Sequence, residues 1–344
     1  MKSSMLKTAK ALLFAAVLLA VAIPVMAGGG SEAGKKIKVG VSLPTQEVER
    51  WVRDKNNLIK YGEAAGCVVL MQIANNDPVK QNAQVENLIS QKIDVLIISP
   101  HDADAAATAV AAAKKAGIPV VGYVRLILNA ELDAHVSDDF VRTGELQGEY
   151  LLKAAPKGNY IILRGMKEDY NWFLFHSGAM KVIQPSIDNG NIKVIVDQHA
   201  ADWKPENALK ITENALTAMK NNIQAVLSPN DGLAGGAIQA LAAQGLAGKV
   251  PVTGGDAGQD AARRIWQGTQ SMTVFRDQES LADNAIKIAI ALVKKEDFLK
   301  YTKGTINNGL KEVPVVWGQA ITIIKDNLQL LVDKKYMTWE EIKG

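Results

Sequence analysis

An α/β fold built on parallel sheets is what this sequence predicts, and three observations carry the prediction. Short apolar runs recur along the chain, each followed by an amphipathic segment with helical spacing. At 344 residues the chain is longer than one hydrophobic core comfortably serves, so two domains are expected. The strand–helix alternation also runs as two similar series, with no close sequence repeat between them.

The first series begins near Lys36. Strands are expected at 37–43, 68–73, 94–98 and 118–122, with a further short one at 133–137. Helices are expected between them at 47–65, 78–91 and 103–116. Gly66 and Gly117 close the first and third of these, and Asp77 caps the second. The second series places helices at 144–154, 171–184, 205–219, 231–244 and 259–267. Its strands are expected at 159–163, 192–196, 225–227, 250–253 and 272–275. Pro185 is expected to stop the 171–184 helix, whereas Pro205 falls in a first turn, where a missing N–H is harmless. A long helix at 278–294, short strands at 305–308, 314–316 and 321–324, and a charged tail of short helices at 325–344 complete the chain. This late section is too small for a domain and is expected to finish the two sheets already built.

The first residues read as an address rather than as fold. Lys2, Lys7 and Lys10 form a basic head, residues 11–22 are apolar, and Val25-Met26-Ala27 is a small-x-small cleavage pattern. The apolar core is too short for a typical spanning helix. No cysteine follows it, which excludes a bacterial lipoprotein anchor. Residues 1–27 are therefore expected to be a secretory signal cleaved after Ala27, and 28–35, opening Gly28-Gly29-Gly30-Ser31, a flexible leader. The mature chain is expected to be exported and soluble.

Several function classes are disfavoured. A net charge of +3 argues against nucleic-acid binding by bulk charge. The single cysteine, Cys67, lies in an apolar run and reads as a small core residue. His101, His135, His176 and His199 have no ligand-like spacing, so no metal is expected. There is no Gly-x-Ser-x-Gly elbow and no phosphate loop. Gly232-Leu233-Ala234-Gly235-Gly236 opens a helix but lacks the following Lys-Ser/Thr, so close helix packing or backbone approach to a ligand is its plainer use. No catalytic residue and no cofactor is expected.

Polar and aromatic residues instead gather where strands end, the place where open parallel sheets bind ligands. Arg50-Trp51 follows the first strand and Arg125 the fourth. Asp138-Asp139 lies at the first crossing between domains. Tyr170-Asn171-Trp172, Asp202-Trp203, Asn230, Asp256 and Arg276 follow strands of the second series. Any one of these could be a helix cap or a surface pair, and Asn230 and Asp256 are the best cap candidates. Their recurrence in both halves points to a hydroxyl-binding site with aromatic walls, suited to a polyol or sugar.

The chain resembles the periplasmic sugar-binding proteins of ABC importers, in the ribose/xylose cluster and most of all its xylose-binding branch. The likeness covers about residues 36–332. It is carried by Glu49-Arg50-Trp51, Thr143-Gly144-Glu145-Leu146-Gln147, Trp203-Lys204-Pro205-Glu206-Asn207, Gly235-Gly236-Ala237-Ile238, Gly268-Thr269-Gln270-Ser271-Met272 and Asn307-Asn308-Gly309-Leu310. The resemblance implies two doubly wound parallel-sheet lobes joined by three hinge strands, with crossings near 137–138, 275–276 and 314–315. One lobe would take 36–137 and 276–313, the other 138–275 and 314–333, leaving 334–344 as a tail. It also implies sugar contacts from Arg50, Arg125, Asn171, Asn230 and Asp256, with Trp51 and Trp203 supplying apolar faces. The implied partners are a small sugar-like ligand and a membrane permease, for a monomeric periplasmic protein.

The departures fall in the pocket. The family's Tyr-Asp-Arg is Tyr123-Val124-Arg125 here, so a carboxylate is missing. Ser-Phe-Asp-Asn becomes Ser137-Asp138-Asp139-Phe140. Asp-Asn-Asn-Ala-x-Leu-Phe-Arg becomes Asp169-Tyr170-Asn171-Trp172-Phe173-Leu174-Phe175-His176, and a site Lys is replaced by Arg276. A ligand other than plain D-xylose is therefore expected, with an acidic portion or a larger apolar face. Binding is favoured over turnover. The rivals are a sensor reporting to a membrane receptor or kinase, an exported enzyme, and a repressor of the same lobe architecture, the last opposed by the leader and the missing helix-turn-helix.

Overall fold

The structure is a computed structural model that describes Lys36–Gly344; the expected signal and leader lie outside the described residues. Strands buried on both faces form the middle of the first sheet. In Val95–Ile98 (β3), Val95 and Ile97 face one core while Leu96 and Ile98 face another, so an unbroken apolar run becomes a central strand. Around it lie Lys38–Leu43 (β1), Val68–Ile73 (β2), Val120–Tyr123 (β4) and Ala134–Asp138 (β5), all parallel, in the order β5-β4-β3-β1-β2. Glu49–Ala64 (α1) packs with the late helix Gln278–Lys294 (α9) on one face, and Pro78–Ser90 (α2) with Ala106–Lys115 (α3) on the other. Asp77 caps α2 by accepting from Val79 and Lys80 N–H.

In the second lobe, Gly158–Arg164 (β6) is central between Ile192–His199 (β7) and Ala225–Leu227 (β8), again parallel. Phe140–Ala154 (α4) and Asn171–Asp188 (α5) pack closely, as do Pro205–Ala218 (α6) and Asp231–Ala243 (α7). Glycines set both approaches. A Cβ at Gly178 would stand 2.0 Å from Val141 O, and one at Gly236 2.0 Å from Pro205 O, which is the helix-packing use expected of the Gly-rich run. Gln259–Gln267 (α8) follows, then Thr273–Arg276 (β9).

Four expectations are corrected. Pro185 does not stop α5, which runs on to Asp188. The one missing N–H is outweighed by packing on α4, and Pro185 O still accepts from Asn189 N. Helix α4 starts at Phe140, four residues early, because Asp139 caps it by accepting from Arg142 N–H. Residues 250–253 form only the bridge Val226–Val252. Pro251 has no N–H to give, and Thr253 instead spends its hydroxyl on the Ser228 backbone. Lastly, Glu312–Gly318 (β11) lies wholly in the first sheet, paired with β5 and edged by Thr305–Asn307 (β10). The third crossing is therefore at 318–320, not 314–315, and Ala320–Ile323 (β12) then pairs with β9 in the second lobe. The chain leaves β5 after Asp138 to begin α4, and leaves β9 after Arg276 to begin α9. Gln329–Asp333 (α10) and Trp339–Lys343 (α11) end the chain.

His135 on β5 faces Gly122 on β4, where a Cβ would come within 2.6 Å of its ring. It is 1% exposed, and burial pushes the imidazole down to about 4. Its folded pKa is thus below its unfolded value near 6.5, so neutral His135 contributes stability above about pH 6.5 that is lost as pH falls toward 4. Across that window roughly 3 kcal/mol should disappear. Urea unfolding at pH 7 and 4.5 should show a smaller acid loss for His135→Leu than for the parent; equal losses would contradict this.

Candidate functional site

The carboxyl ends of the strands in both sheets converge on one pocket. From the first lobe come Val48, Arg50 and Trp51 at the start of α1, and Val124 and Arg125 after β4. From the second come Asp169 and Asn171 after β6, Trp203 after β7, Asn230 after β8, and Asp256 beyond the Val252 bridge. Arg276 closes it at the end of β9, with Phe140 and Phe175 from the paired helices α4 and α5. The space left is about 40 Å³. Val48, Arg50, Trp203, Asn230 and Asp256 also line a neighbouring cleft of about 370 Å³.

The turn before Arg125 is a γ-turn. Arg125 N–H donates to Tyr123 O at 2.7 Å around Val124, whose φ is +61°. A β-branched residue in that region is strained, and the surroundings hold it there. Val124 N–H donates to Val136 O, while Val124 O accepts from Ser137 Oγ at 2.8 Å and from Asn171 Nδ2 at 3.3 Å. The last bond crosses between lobes.

Arg50 is the hub of the charges. Its Nε lies 3.0 Å from Asp54, and its Nη1 lies 2.7 Å from Asp138 and 3.5 Å from Asp256. Arg276 pairs with the same Asp256 and stands 3.6 Å from Asp138. Arg125 reaches Asp169 across the lobes at 2.7 Å, and Trp203 Nε1–H donates to that carboxylate too. Aromatic faces back the guanidiniums, Trp51 under Arg50 and Arg125, Phe140 and Phe175 under Arg276. Burial pulls Arg50 down, yet Asp138, Asp54 and Asp256 more than offset it, and its pKa ends well above the usual value. Burial pushes Arg125 down against the single carboxylate of Asp169. The Asp54 carboxyl is raised by burial, with Arg50 opposing. Three guanidiniums thus meet four carboxylates, Asp54, Asp138, Asp169 and Asp256.

The lobes also touch around the rim. Ala103 N–H donates to Glu168 O at 2.9 Å, Gln259 N–H to Glu49 at 3.4 Å, and the Arg53 guanidinium lies 4.3 Å from the centre of the Tyr336 ring. This is a closed arrangement.

Of the residues singled out from sequence, Arg50, Trp51, Arg125, Asn171, Trp203, Asn230, Asp256 and Arg276 line the pocket. Asn230 does so while also capping α7, its side chain accepting from Leu233 N–H; Asp256 caps nothing. Five others do not line it. Asp138 sits behind the guanidiniums of Arg50 and Arg276, and Asp139 is used up as the α4 cap. Tyr170 packs on Phe173. Trp172 and His176 belong to a separate group on the second lobe. Trp172 meets His199 edge to face and donates its Nε1–H to Lys167 O, and His176 meets Asp197, which also pairs with Arg164. Helical geometry explains the split, since Asn171 and Phe175, four apart, share the pocket-facing side of α5 and residues 170, 172 and 176 fall elsewhere.

A model of the periplasmic binding protein domain matches residues 39–297. The chain belongs to that family. It is 44% identical over 304 residues to the D-xylose-binding periplasmic protein of Haemophilus influenzae, spanning 88% of this chain and 91% of the relative. The Escherichia coli D-xylose-binding periplasmic protein is 43% identical over 300 residues, spanning 87% and 90%. The solute binding protein of a carbohydrate transporter from Chloroflexus aurantiacus, solved in complex with D-glucose, matches at a TM-score of 0.83 and 33% identity, covering 90% of this chain and 98% of that one. The two-lobed α/β architecture is the type I fold of periplasmic binding proteins.

Within this periplasmic binding protein, Val48, Asp169, Phe140 and Phe175 line the pocket without having been singled out. Asp169 had a signal: an Asp-x-Asn at a strand end, in which the Asp carboxylate accepts from the N–H of Asn171 at 3.0 Å. The phenylalanines had a weaker one, since a buried arginine such as Arg276 calls for aromatic faces to lie against.

Proposed function

We propose that this periplasmic binding protein is the substrate-binding component of an ABC importer, exported by its 1–27 segment, and that it captures a neutral sugar or polyol between its lobes. One observation carries the reading. Arg50 Nη2, Arg276 Nη1 and Asn171 Oδ1 are buried at the pocket with no hydrogen-bond partner among the described residues, two donors and one acceptor beside aromatic walls. Ligand hydroxyls would satisfy them, and buried polar groups are rarely left unpaired. Because these groups come from both lobes, ligand stabilises the closed form over the open one, and the closed form is what a membrane permease would receive. The relatives named above bind D-xylose and D-glucose by their names, which supports a sugar here.

The charge balance argues against the acidic ligand expected from the loss of a carboxylate at Val124. Every guanidinium of the site already holds a carboxylate, so no positive charge is left over for an anion. Calorimetric titration of the refolded, ligand-stripped protein with D-xylose, D-glucose, myo-inositol and D-glucuronate tests this. A neutral member should bind one-to-one; binding of the uronate alone, or of none, would sink the proposal.

Val124 supports a ligand other than plain D-xylose. Asp tolerates the left-handed turn better than Val and would restore a hydroxyl acceptor next to Arg125. Val124→Asp should therefore raise D-xylose affinity at least about tenfold, on the scale of one added charge-assisted hydrogen bond. An unchanged affinity would show that Val124 does not set the preference.

A further inference from the structure

The larger cleft beside the pocket is itself built to receive part of a ligand. Its volume of about 370 Å³ falls in the range of small-molecule sites, and Arg50, Trp203, Asn230 and Asp256 form a wall common to it and the inner pocket. Gln278, only 1% exposed, lines it. The Tyr336 hydroxyl occupies Gln278 Oε1 at 3.3 Å, while Gln278 Nε2 has no partner among the described residues. Arg50, whose Nη2 is equally unpartnered, lines both spaces. The lining also includes Gly232, where an added Cβ would meet nothing nearer than 3.8 Å, so the space there is open. Among the charges of the cleft, Arg53 pairs with Glu49 at 2.8 Å, Lys204 stands 3.7 and 3.8 Å from Asp202 and Glu47, and Arg264 donates to Gln270 Oε1 and the Asp231 carbonyl, so the chemistry left over suits a neutral hydroxylated group. Trp203 offers one aromatic surface to both spaces.

We propose that the ligand is longer than one ring: a disaccharide or glycoside whose first ring enters the inner pocket as its about 40 Å³ widens to admit it, and whose second ring or substituent lies in the cleft, taking a hydrogen bond from Gln278 Nε2. This rests on the reading of the inner pocket as a sugar site. The test is calorimetry on the mature chain with D-xylose, D-glucose, xylobiose, cellobiose and maltose. At least one disaccharide should bind within tenfold of its monosaccharide or tighter. Gly232→Phe, which fills the cleft and not the pocket, should weaken that disaccharide at least tenfold and leave the monosaccharide within twofold. Gly235→Leu, whose Cβ would stand 3.2 Å from Arg264 Nη1, serves as a second filling variant should the first misfold. Monosaccharide binding with every disaccharide weaker by more than tenfold, or disaccharide binding indifferent to both variants, overturns the two-ring ligand and leaves the sugar site standing. Failure of every sugar, short or long, overturns both.

Discussion

Arg50→Met is expected to lower the unfolding free energy by about 3–5 kcal/mol, the penalty for leaving buried charge without its partner. Arg50 faces Asp54, Asp138 and Asp256 at once, and the first two are fully buried. Asp54 would keep only the Tyr123 hydroxyl, at 2.6 Å. Asp138 would keep only Arg276, at 3.6 Å. Urea unfolding at pH 7 measures the loss, and a change below about 1 kcal/mol would show that the carboxylates find other partners. Arg50→Lys should recover part of it, since an ammonium restores the charge but not the planar fork that reaches three carboxylates. Sugar binding should fail in both variants, because neither keeps the unpaired Nη2 donor.

The second large effect is expected at Asp169. This carboxylate holds Arg125, which has no other among the described residues, and also accepts from Trp203 and from the Asn171 backbone. Asp169→Ala therefore strands a guanidinium that is 5% exposed and loosens two further pocket residues. Truncating one partner of a buried, hydrogen-bonded charge pair costs about 2–5 kcal/mol in binding, so ligand affinity should fall at least about thirtyfold. The pair also ties the lobes together, so small-angle scattering of the ligand-free variant should show a larger radius of gyration than the parent. Affinity within threefold of the parent, with unchanged scattering, would mean that the contact contributes to neither closure nor binding.

The fold was legible wherever local pattern and tertiary context agree. The apolar run at 94–98 reads as a strand because both sides of it are buried, and the Asp77 cap is a local matter of one side chain and two N–H groups. The errors came where packing overrode local rules. Pro185 breaks a helix in isolation but not one pressed against α4 through Gly178. The site divided in the same way. Residues at strand ends were legible because parallel sheets deliver them to one place. Trp172 and His176 were not separable from Asn171 by sequence, because which side of α5 meets the pocket is decided by how α4 and α5 pack. Asp138 was found but misassigned: a carboxylate at a strand end can touch the ligand or hold what touches it, and only the position of Arg50 and Arg276 distinguishes the two.

The γ-turn at Val124 is held by main-chain atoms of Tyr123, Val124, Arg125 and Val136, together with the side chains of Ser137 and Asn171 bonding to the Val124 carbonyl. None of these bonds involves the side chain at its apex. A residue that tolerates a φ of +61°, such as Asp, Asn or Gly, can therefore replace the apex residue while the guanidinium that follows stays where it is. An exchange at that apex alters the surface offered to whatever occupies the pocket, while the turn and its hydrogen bonds stay as they are.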